Sequence, residues 1–201
     1  MKKILLVIIS GFCLLETSAL FAETNVSIFA GYRGGGEFEE SGTGEKLKLD
    51  ENSTGGFTID WDYVDNTTIQ LFYSHQETQL LSTAAGPDAL FDLDIDYLGV
   101  GGTYQWPGKT MEPYLAGTLG LTHFRPEADG YSAKSRVHLS LGFGTLVNLT
   151  KRFGLKFEAR TYATFLNSDG AMFCNNGNCT VFVSSSALLQ YELMAGINFA
   201  F

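Results

Sequence analysis

Apolar residues occupy every second position in eight segments of this 201-residue chain. In the last segment, SSALLQYELMAGINFAF, Leu189, Leu193 and Ile197 alternate with Gln190 and Glu192. A period of two predicts β-strands, because successive side chains of a strand point to opposite faces of the sheet. Each segment is close to or longer than the roughly 9–11 residues that cross a membrane as a tilted strand. The other seven segments are TNVSIFAGYR, GFTIDWDYV, TIQLFYSH, LFDLDIDYLGVGGTYQW, PYLAGTLGLTHF, SRVHLSLGFGTLVNL and RFGLKFEARTYATFL.

The connections between these segments alternate between long and short. The long ones are polar and rich in Gly, Ser, Asn and acidic residues. If consecutive strands run up and down, all long connections lie at one end of the protein and all short ones at the other. The sequence therefore predicts an all-β fold, an eight-stranded antiparallel up-and-down transmembrane β-barrel. The long connections are residues 34–55, 76–89, 125–135 and 167–180, and the short ones are residues 65–67, 107–112 and 150–152.

Alternation alone does not say whether the apolar face points to lipid or to a protein core, and a secreted lipocalin-like barrel has the same pattern. Charged residues such as Glu158 and Arg160 at mid-strand on the polar face favour lipid outside. Aromatic residues also gather near the strand ends, as the two interfacial girdles of a membrane barrel require. They are Trp61, Tyr63, Tyr104 and Trp106 at the short-turn end and Tyr32, Tyr73, Phe91 and Phe165 at the long-loop end.

The beginning of the chain predicts export. Two lysines precede an apolar run over residues 4–15, and small residues follow it. This pattern is typical of a secretory signal peptide, and the run is too short to span the about 30 Å of bilayer hydrocarbon as a helix. We expect residues 1–22 to be a cleaved signal peptide, with cleavage after Ala22 or alternatively after Ala19. Residues 23–201 then form one outer-membrane β-barrel domain.

A pair of cysteines, Cys174 and Cys179, lies in the stretch FCNNGNCT. In an oxidising compartment two close cysteines flanked by turn-forming residues predict a disulfide at a loop tip. Zinc binding is the alternative, although no His or third Cys lies nearby to complete four ligands. No metal site and no cofactor is predicted. The formal net charge of −9 argues against a nucleic-acid partner, which needs a basic surface.

The carboxyl-terminal strand carries apolar residues at every second position back from a terminal aromatic, at Ile197, Phe199 and Phe201. This arrangement resembles the signal read by the bacterial outer-membrane barrel assembly machinery. The chain as a whole resembles the small eight-stranded outer-membrane barrels, the group that includes OmpX and the OmpA membrane domain. The stretches LFYSHQET, YLGVGGTY, PYLAGTLG and LKFEARTYATFLNSDGAMFC further resemble a poorly characterised family of outer-membrane barrel domains with a cysteine pair in the last loop. The resemblance implies a Gram-negative outer membrane, with its lipids, lipopolysaccharide and assembly machinery as partners.

With the apolar face in lipid, charged side chains point into the lumen. An eight-stranded barrel has an interior just wide enough for side chains to fill, and charges buried there must be paired or wetted. We therefore predict a lumen that is largely closed by charge pairs. The predicted lumen charge network consists of Asp96, Arg136, His138, Glu158, Arg160 and Glu192, and the further inward charges are Arg33, Asp60, Asp62, Asp94 and Lys156.

Glycines leave two questions open. Lumen-facing Gly142, Gly144 and Gly196 remove volume, and a water-filled gap there favours the alternative of a narrow OmpW-like channel for small solutes. Glycines within residues 99–102 predict a bulge or tight barrel corner. A slip of one residue there would exchange the inner and outer faces of the strand.

The sequence favours a structural or surface-interaction role without catalysis. Residues 34–55 and 167–180 are the loops expected to meet an extracellular ligand, because surface loops on a rigid scaffold commonly carry binding. An enzyme that modifies lipid A is the less favoured alternative. His138 and Ser140 resemble the His-x-Ser arrangement of the lipid A deacylase family. The Asn that follows this Ser in that family is Leu141 here, and the pair lies on the polar face rather than toward lipid.

Overall fold

The computed structural model describes residues 23–39, 46–82, 89–128, 131–166, 171–175, 178–182 and 187–201, with the backbone alone at 38, 39, 46, 89, 171–175 and 178–182. The predicted signal peptide lies outside these residues. No helix in the described ranges is long and apolar enough to cross a membrane. The strands are β1 (Thr24–Gly35), β2 (Glu37–Glu39), β3 (Lys46–Leu49), β4 (Asn52–Val64), β5 (Thr67–Ser82), β6 (Ala89–Gln105), β7 (Met111–Pro126), β8 (Lys134–Asn148), β9 (Phe153–Phe165), β10 (Ala171–Asn175), β11 (Asn178–Phe182) and β12 (Ala187–Ala200).

Eight of these strands, β1, β4 to β9 and β12, form one closed antiparallel barrel. Each pairs with the strands before and after it, and β1 closes the barrel by pairing with β12. The predicted eight-stranded antiparallel barrel is thus confirmed. We call the end with the short connections the lower end and the opposite end the upper end. At the upper end, β2 and β3 form a hairpin that adds to β5, and β10 and β11 form a separate hairpin.

Through the lower and middle parts of the barrel, the outer face is apolar and most of the inward side chains are polar. Leu193 on β12 is 68% exposed, whereas its neighbours on either side, Glu192 and Met194, are buried. The alternation predicted for β8, β9 and β12 is found in the structure, with every second residue buried through the middle of each strand. An outer apolar band of this kind is the surface that bilayer hydrocarbon requires, since every backbone group of a closed barrel is already paired.

At the upper end the polarity of the two faces is reversed. On β6, Leu93, Ile95 and Tyr97 are buried inside the barrel, whereas Asp94 and Asp96 bond to outward-facing side chains. The alternation in the sequence predicts the apolar residues of this segment on the outer face and its aspartates on the inner face, and that prediction is wrong. The physical reason is that the strands continue above the lipid, where the inner face must form a water-excluding core and the outer face meets water. Phe91, predicted for the upper girdle, likewise packs against this inner core beside Tyr131.

The pairing of β6 continues without a bulge through its glycines. Gly99 lies opposite Phe72 and Gly120, and Gly101 lies opposite Gln70 and Thr118, in an unbroken register on both sides. The predicted bulge at residues 99–102 is therefore wrong. The glycines instead allow close approach, because a Cβ atom at Gly99 would lie 3.0 Å from the Thr118 hydroxyl and 3.3 Å from Nε2 of His138. The apolar pattern changes phase along this strand because its environment changes from lipid to water.

Candidate functional site

The lumen of the barrel holds most of the buried charged side chains, so it is the first place to look for a functional site. At its lower end Lys156 and Asp60 form an ion pair, with Nζ 3.1 Å from Oδ2. The Lys156 ammonium also donates to the Thr58 hydroxyl at 3.0 Å and lies 5.2 Å from the centre of the Tyr114 ring. Gln70 donates its side-chain amide to the second Asp60 oxygen at 2.7 Å. Both charges are therefore paired and hydrogen-bonded.

A second ion pair lies above the first. Arg160 donates from Nε to Oε1 of Glu158 at 2.5 Å and from Nη2 to the Gln70 side-chain oxygen at 2.9 Å. Its Nη1 contacts the Ser140 hydroxyl at 3.0 Å. The Tyr114 hydroxyl donates to the other Glu158 oxygen at 2.7 Å. Buried charges with this many partners are stabilised, whereas the loss of one partner leaves a charge that burial makes costly.

An apolar layer separates this pair from the next. The rings of Phe29 and Phe72 stack at 5.7 Å between centroids, and Phe72 also packs against Tyr162. Met194 is buried in the same cluster. The Arg160 guanidinium lies 4.0 Å from the centre of the Phe72 ring, so the layer contacts the charged group beneath it directly.

The third ion pair joins Arg33 and Glu192 above the apolar layer. Nη2 of Arg33 is 2.9 Å from Oε2 of Glu192, and both side chains are completely buried. Glu192 accepts three further bonds, from the hydroxyls of Thr54 at 2.5 Å, Ser74 at 3.0 Å and Tyr162 at 2.5 Å. The Arg33 guanidinium also bonds to Ser74. Its central carbon lies over the Tyr162 ring at 5.0 Å and over a second ring, that of Tyr97, at 4.6 Å.

Above the third pair, neutral polar and then apolar side chains fill the lumen. Tyr97 donates its hydroxyl to Gln190 at 2.7 Å and packs edge-on against His138, with ring centroids 4.9 Å apart. Nδ1 of His138 is 3.3 Å from the Thr122 hydroxyl. Above these residues lies an apolar cap, whose side chains belong to the same cluster of buried hydrophobic residues as Tyr97. The cap consists of Leu47, Leu49, Leu80, Leu93, Ile95, Phe124, Leu166 and Leu188.

The lumen glycines make room for neighbouring side chains rather than for water. A Cβ atom at Gly142 would lie 2.5 Å from Oε1 of Glu158 and 3.3 Å from Nε of Arg160. At Gly144 it would meet the Tyr114 ring, and at Gly196 it would lie 2.8 Å from Cβ of Phe29. The water-filled gap that the sequence suggested at these glycines is therefore occupied by protein atoms.

The lower mouth of the lumen is open to solvent. A vestibule of about 480 Å³ lies there, lined by charged residues that include Asp62, Lys109, Glu112 and Arg152. Two voids of about 10 Å³ lie deeper, one beside the Lys156 and Asp60 pair and one between Lys156 and the apolar layer. A void of that size holds about one water molecule, so the vestibule narrows sharply at the first ion pair.

Comparison with known proteins identifies the fold. No protein-family model and no curated protein sequence matches the chain. The crystal structure of Neisserial surface protein A (NspA) matches with 15% identity and a TM-score of 0.62, over 89% of this chain and 97% of that one. The crystal structure of the outer membrane protein OprG from Pseudomonas aeruginosa matches with 14% identity and a TM-score of 0.63, over 90% and 96%. The chain has the fold of the small eight-stranded outer-membrane barrels.

Within this outer-membrane barrel fold, five of the six residues predicted for the lumen charge network face the lumen, and the sixth, Asp96, faces outward. Glu158 and Arg160 pair with each other, and Glu192 pairs with Arg33. His138 is buried in the lumen. Arg136, two residues before it on β8, lies on the same inward face of the strand. The neutral partners Thr54, Ser74, Gln70 and Tyr162 were not predicted as members of this network. Their signal was present, because each is a polar or hydroxyl-bearing residue at an inward position of its strand.

For Asp96 the prediction of a lumen position is wrong. It lies on the outer face of the barrel, where its Oδ1 accepts from Tyr73 at 2.8 Å and contacts Nδ1 of His75 at 2.8 Å. Arg125 lies 3.5 Å from its second oxygen. The inversion of polarity at the upper end of β6 turns this aspartate away from the lumen. Asp94 also faces outward and pairs with Arg125 at 3.0 Å, and Asp62 is exposed at the lower rim.

The two remaining groups of predicted residues lie at opposite ends of the barrel. The backbones of Cys174 and Cys179 are direct partners in the β10 and β11 hairpin. The structure describes only the backbone at these two residues, so the disulfide stays a prediction. Ile197, Phe199 and Phe201 are all exposed on the outer face at the lower end, and Phe199 packs edge-on against Phe153. Their role as an assembly signal stays a prediction.

Proposed function

We propose that this protein is a closed outer-membrane barrel whose role is structural or lies in surface interaction through its upper end. The single observation that carries the proposal is the filled lumen, with three ion pairs, an apolar layer and an apolar cap in succession along its length. The solved structures with the same fold are named as a surface protein and an outer membrane protein, which supports the same location for this chain.

The outer apolar band supports residence in the bacterial outer membrane after insertion by the barrel assembly machinery. Leucines dominate the middle of the band, including Leu119, Leu139 and Leu193. Trp61 and Tyr104 lie at its lower margin, as expected for side chains at a lipid headgroup level. Outer-membrane lipids and lipopolysaccharide are the partners that this surface is suited to contact.

Closure of the lumen to solutes follows from how many side chains would have to move. Passage would require breaking the contacts of Lys156, Arg160 and Arg33 in turn and opening the apolar cap. Each buried charge would lose an ion-pair partner, and removal of one partner from a buried pair costs about 3–5 kcal/mol. Three such barriers and an apolar layer in series favour a lumen that does not conduct.

The upper end supports a role at the cell surface. β5 extends to Ser82 and β6 begins at Ala89, so this pair of strands continues well above the apolar band. The apolar cap inside the upper barrel gives these strands a packed core, and rigid scaffolds of this kind commonly present binding loops. An extracellular ligand would be expected to meet the connections at residues 34–55 and 167–180.

A narrow OmpW-like channel for small solutes is the second candidate. The vestibule of about 480 Å³ at the lower mouth favours it, because the vestibule gives water access to the Lys156 and Asp60 pair. Catalysis on lipid A ranks last. His138 and Ser140 are buried in the lumen, and Ser140 bonds to Thr118 at 2.6 Å and to Arg160 rather than facing lipid. We therefore propose a protein without enzymatic activity.

Liposome swelling tests the choice between a closed barrel and a channel. Vesicles carrying the refolded barrel are placed in isotonic solutions of small sugars and amino acids, and the rate of swelling is recorded. If the barrel is closed, vesicles that carry it should swell at the rate of protein-free vesicles. Vesicles with a variant in which Lys156, Arg160 and Glu192 are all changed to Ala should swell faster. Rapid swelling with the unaltered chain would support the channel instead.

A further inference from the structure

Two rows of side chains cross the outer face of the barrel at its upper end. The register places Phe57, Tyr73, Leu98, Leu121 and Val137 in one row across β4 to β8. Two residues higher, the same pairing places His75, Asp96, His123 and Ser135 side by side on β5, β6, β7 and β8. We call the second set the boundary row, because it is the first row of ionisable side chains above the apolar band.

We propose that His75, Asp96 and His123 of the boundary row bind a divalent transition-metal ion of the zinc class. A carboxylate lies between two imidazoles on three adjacent strands, and all three side chains leave the same face. Two histidines and one carboxylate with further positions open to water are an established ligand set for such ions. Imidazole selects zinc, copper or nickel over magnesium and calcium.

The spacing of the row suits one ion above Asp96. Directly opposed side chains on neighbouring antiparallel strands have Cβ atoms about 4.5–5.5 Å apart. An ion held about 2 Å from an Asp96 oxygen is then within reach of a ring nitrogen from either side. Among the described residues no three ligand side chains already converge on one point. Binding therefore requires the His75 and His123 rings to turn toward Asp96, and the His75 side chain, 32% exposed, has room to do so.

Present contacts of the three side chains match what a metal site needs around its ligands. Nδ1 of His123 is 2.9 Å from the Ser135 hydroxyl, which leaves Nε2 for an ion. Metal-binding histidines generally use their second ring nitrogen in such a hydrogen bond, and ligating carboxylates are themselves hydrogen-bonded. The Tyr73 hydroxyl donates to Asp96 at 2.8 Å.

The surrounding charges also favour a cation. The His75 ring lies 3.9 Å from Glu77, and Arg125 is the counter-charge to both Asp94 and Asp96. With neutral histidines the group of three carboxylates and one guanidinium has a net negative charge. A divalent ion bound to the row would offset that charge, whereas an anion would be repelled by it.

The number of histidines makes the proposal easy to test. The chain has three, and the third, His138, is buried in the lumen. A variant that lacks His75 and His123 therefore has no solvent-accessible imidazole. The competing ligands are Cys174 and Cys179, whose thiolates would bind zinc if reduced. The experiment accordingly starts from a Cys174→Ser, Cys179→Ser background.

Isothermal titration with ZnCl₂ of the untagged, EDTA-treated chain from Glu23 onward, refolded in detergent, is the test. We expect one zinc per chain, a loss of more than tenfold in affinity for His75→Ala, His123→Ala and Asp96→Asn, and no saturable binding in the double histidine variant. Ser135→Ala should weaken binding about tenfold, the scale seen when the hydrogen-bond partner of a ligand is removed. Gln79→Ala, a polar change higher on the same face of β5, is the matched control and should bind as the background does.

Heat-dependent gel migration confirms that each variant is folded before titration, so a loss of binding reports the site and not the barrel. Unchanged zinc affinity in the double histidine variant would overturn the proposal, because the zinc would then bind elsewhere. The absence of saturable binding in the background chain at millimolar ZnCl₂ would also overturn it. Neither result depends on whether the lumen conducts.

Discussion

Arg33 and Glu192 lie directly opposite each other on the first and last strands of the barrel, with Nη2 2.9 Å from Oε2 and no exposed surface on either side chain. They are 159 residues apart in the chain. β1 and β12 meet only when the barrel closes, so this ion pair forms only in the closed barrel. The pair therefore links closure of the β-sheet to the proposed closure of the lumen.

Loss of either partner of this pair should destabilise the barrel. Glu192→Met leaves the Arg33 guanidinium with Ser74 and two aromatic rings, whereas Arg33→Met leaves Glu192 with three hydroxyl donors. We expect the first change to lower the free energy of unfolding by about 3–5 kcal/mol and the second by less. Urea unfolding of the refolded protein measures both. The double variant should lose less than the sum, and strictly additive losses would contradict a direct interaction.

The outward position of Asp96 can be tested by chemical labelling in intact cells. In a Cys174→Ser, Cys179→Ser background, Asp96→Cys should react with a membrane-impermeant maleimide because it lies above the apolar band. Leu98→Cys, two residues and about 7 Å lower on the same face, should be protected by lipid. Equal reaction at both positions would mean that the band ends lower than the boundary row. Reaction at neither would mean that Asp96 faces the lumen.

The contrast between β6 and β12 shows what the sequence could predict. Glu192 and Leu193 lie at membrane depth, where lipid outside and a polar lumen inside produce a simple alternation that the sequence displays. Ile95 and Tyr97 lie above the lipid, where the same alternation has the opposite meaning, and a sequence pattern contains no marker for the height at which the exchange occurs. The sequence also could not show which residue pairs with Glu192, because the pairing of inward charges depends on the register and tilt of the closed barrel.

Gly142→Ala should destabilise the protein because of the ion pair beside it. The added Cβ atom would lie 2.5 Å from Oε1 of Glu158, so Glu158 and Arg160 would have to shift. Overpacking of this kind costs about 1–3 kcal/mol. Gly117→Ala on the outer face is the matched control, since its Cβ atom would lie 3.7 Å from the nearest atom. Equal stability of the two variants by urea unfolding would show that the lumen has spare room at Gly142.

The terminal aromatic residue can be tested for a role in assembly as distinct from stability. Phe201 is 79% exposed, and its backbone N–H donates to the Thr24 oxygen at 3.0 Å whatever its side chain. We expect Phe201→Ser to lower the amount of folded barrel in the outer-membrane fraction of cells while leaving refolding into detergent unchanged. Ala200→Ser controls for a polar change at the adjacent position. A parallel loss in both assays would indicate a structural role instead.

Single-channel conductance in a planar bilayer tests whether the lumen is closed by its paired charges. A closed lumen predicts no current steps from the unaltered barrel, and leak currents from Arg160→Ala and Glu192→Ala, each of which removes one partner of a buried pair. Outward-facing Leu193→Ala, adjacent to Glu192 on β12, should remain silent as the control. Steady openings of the unaltered chain would contradict a closed lumen and identify the protein as a channel.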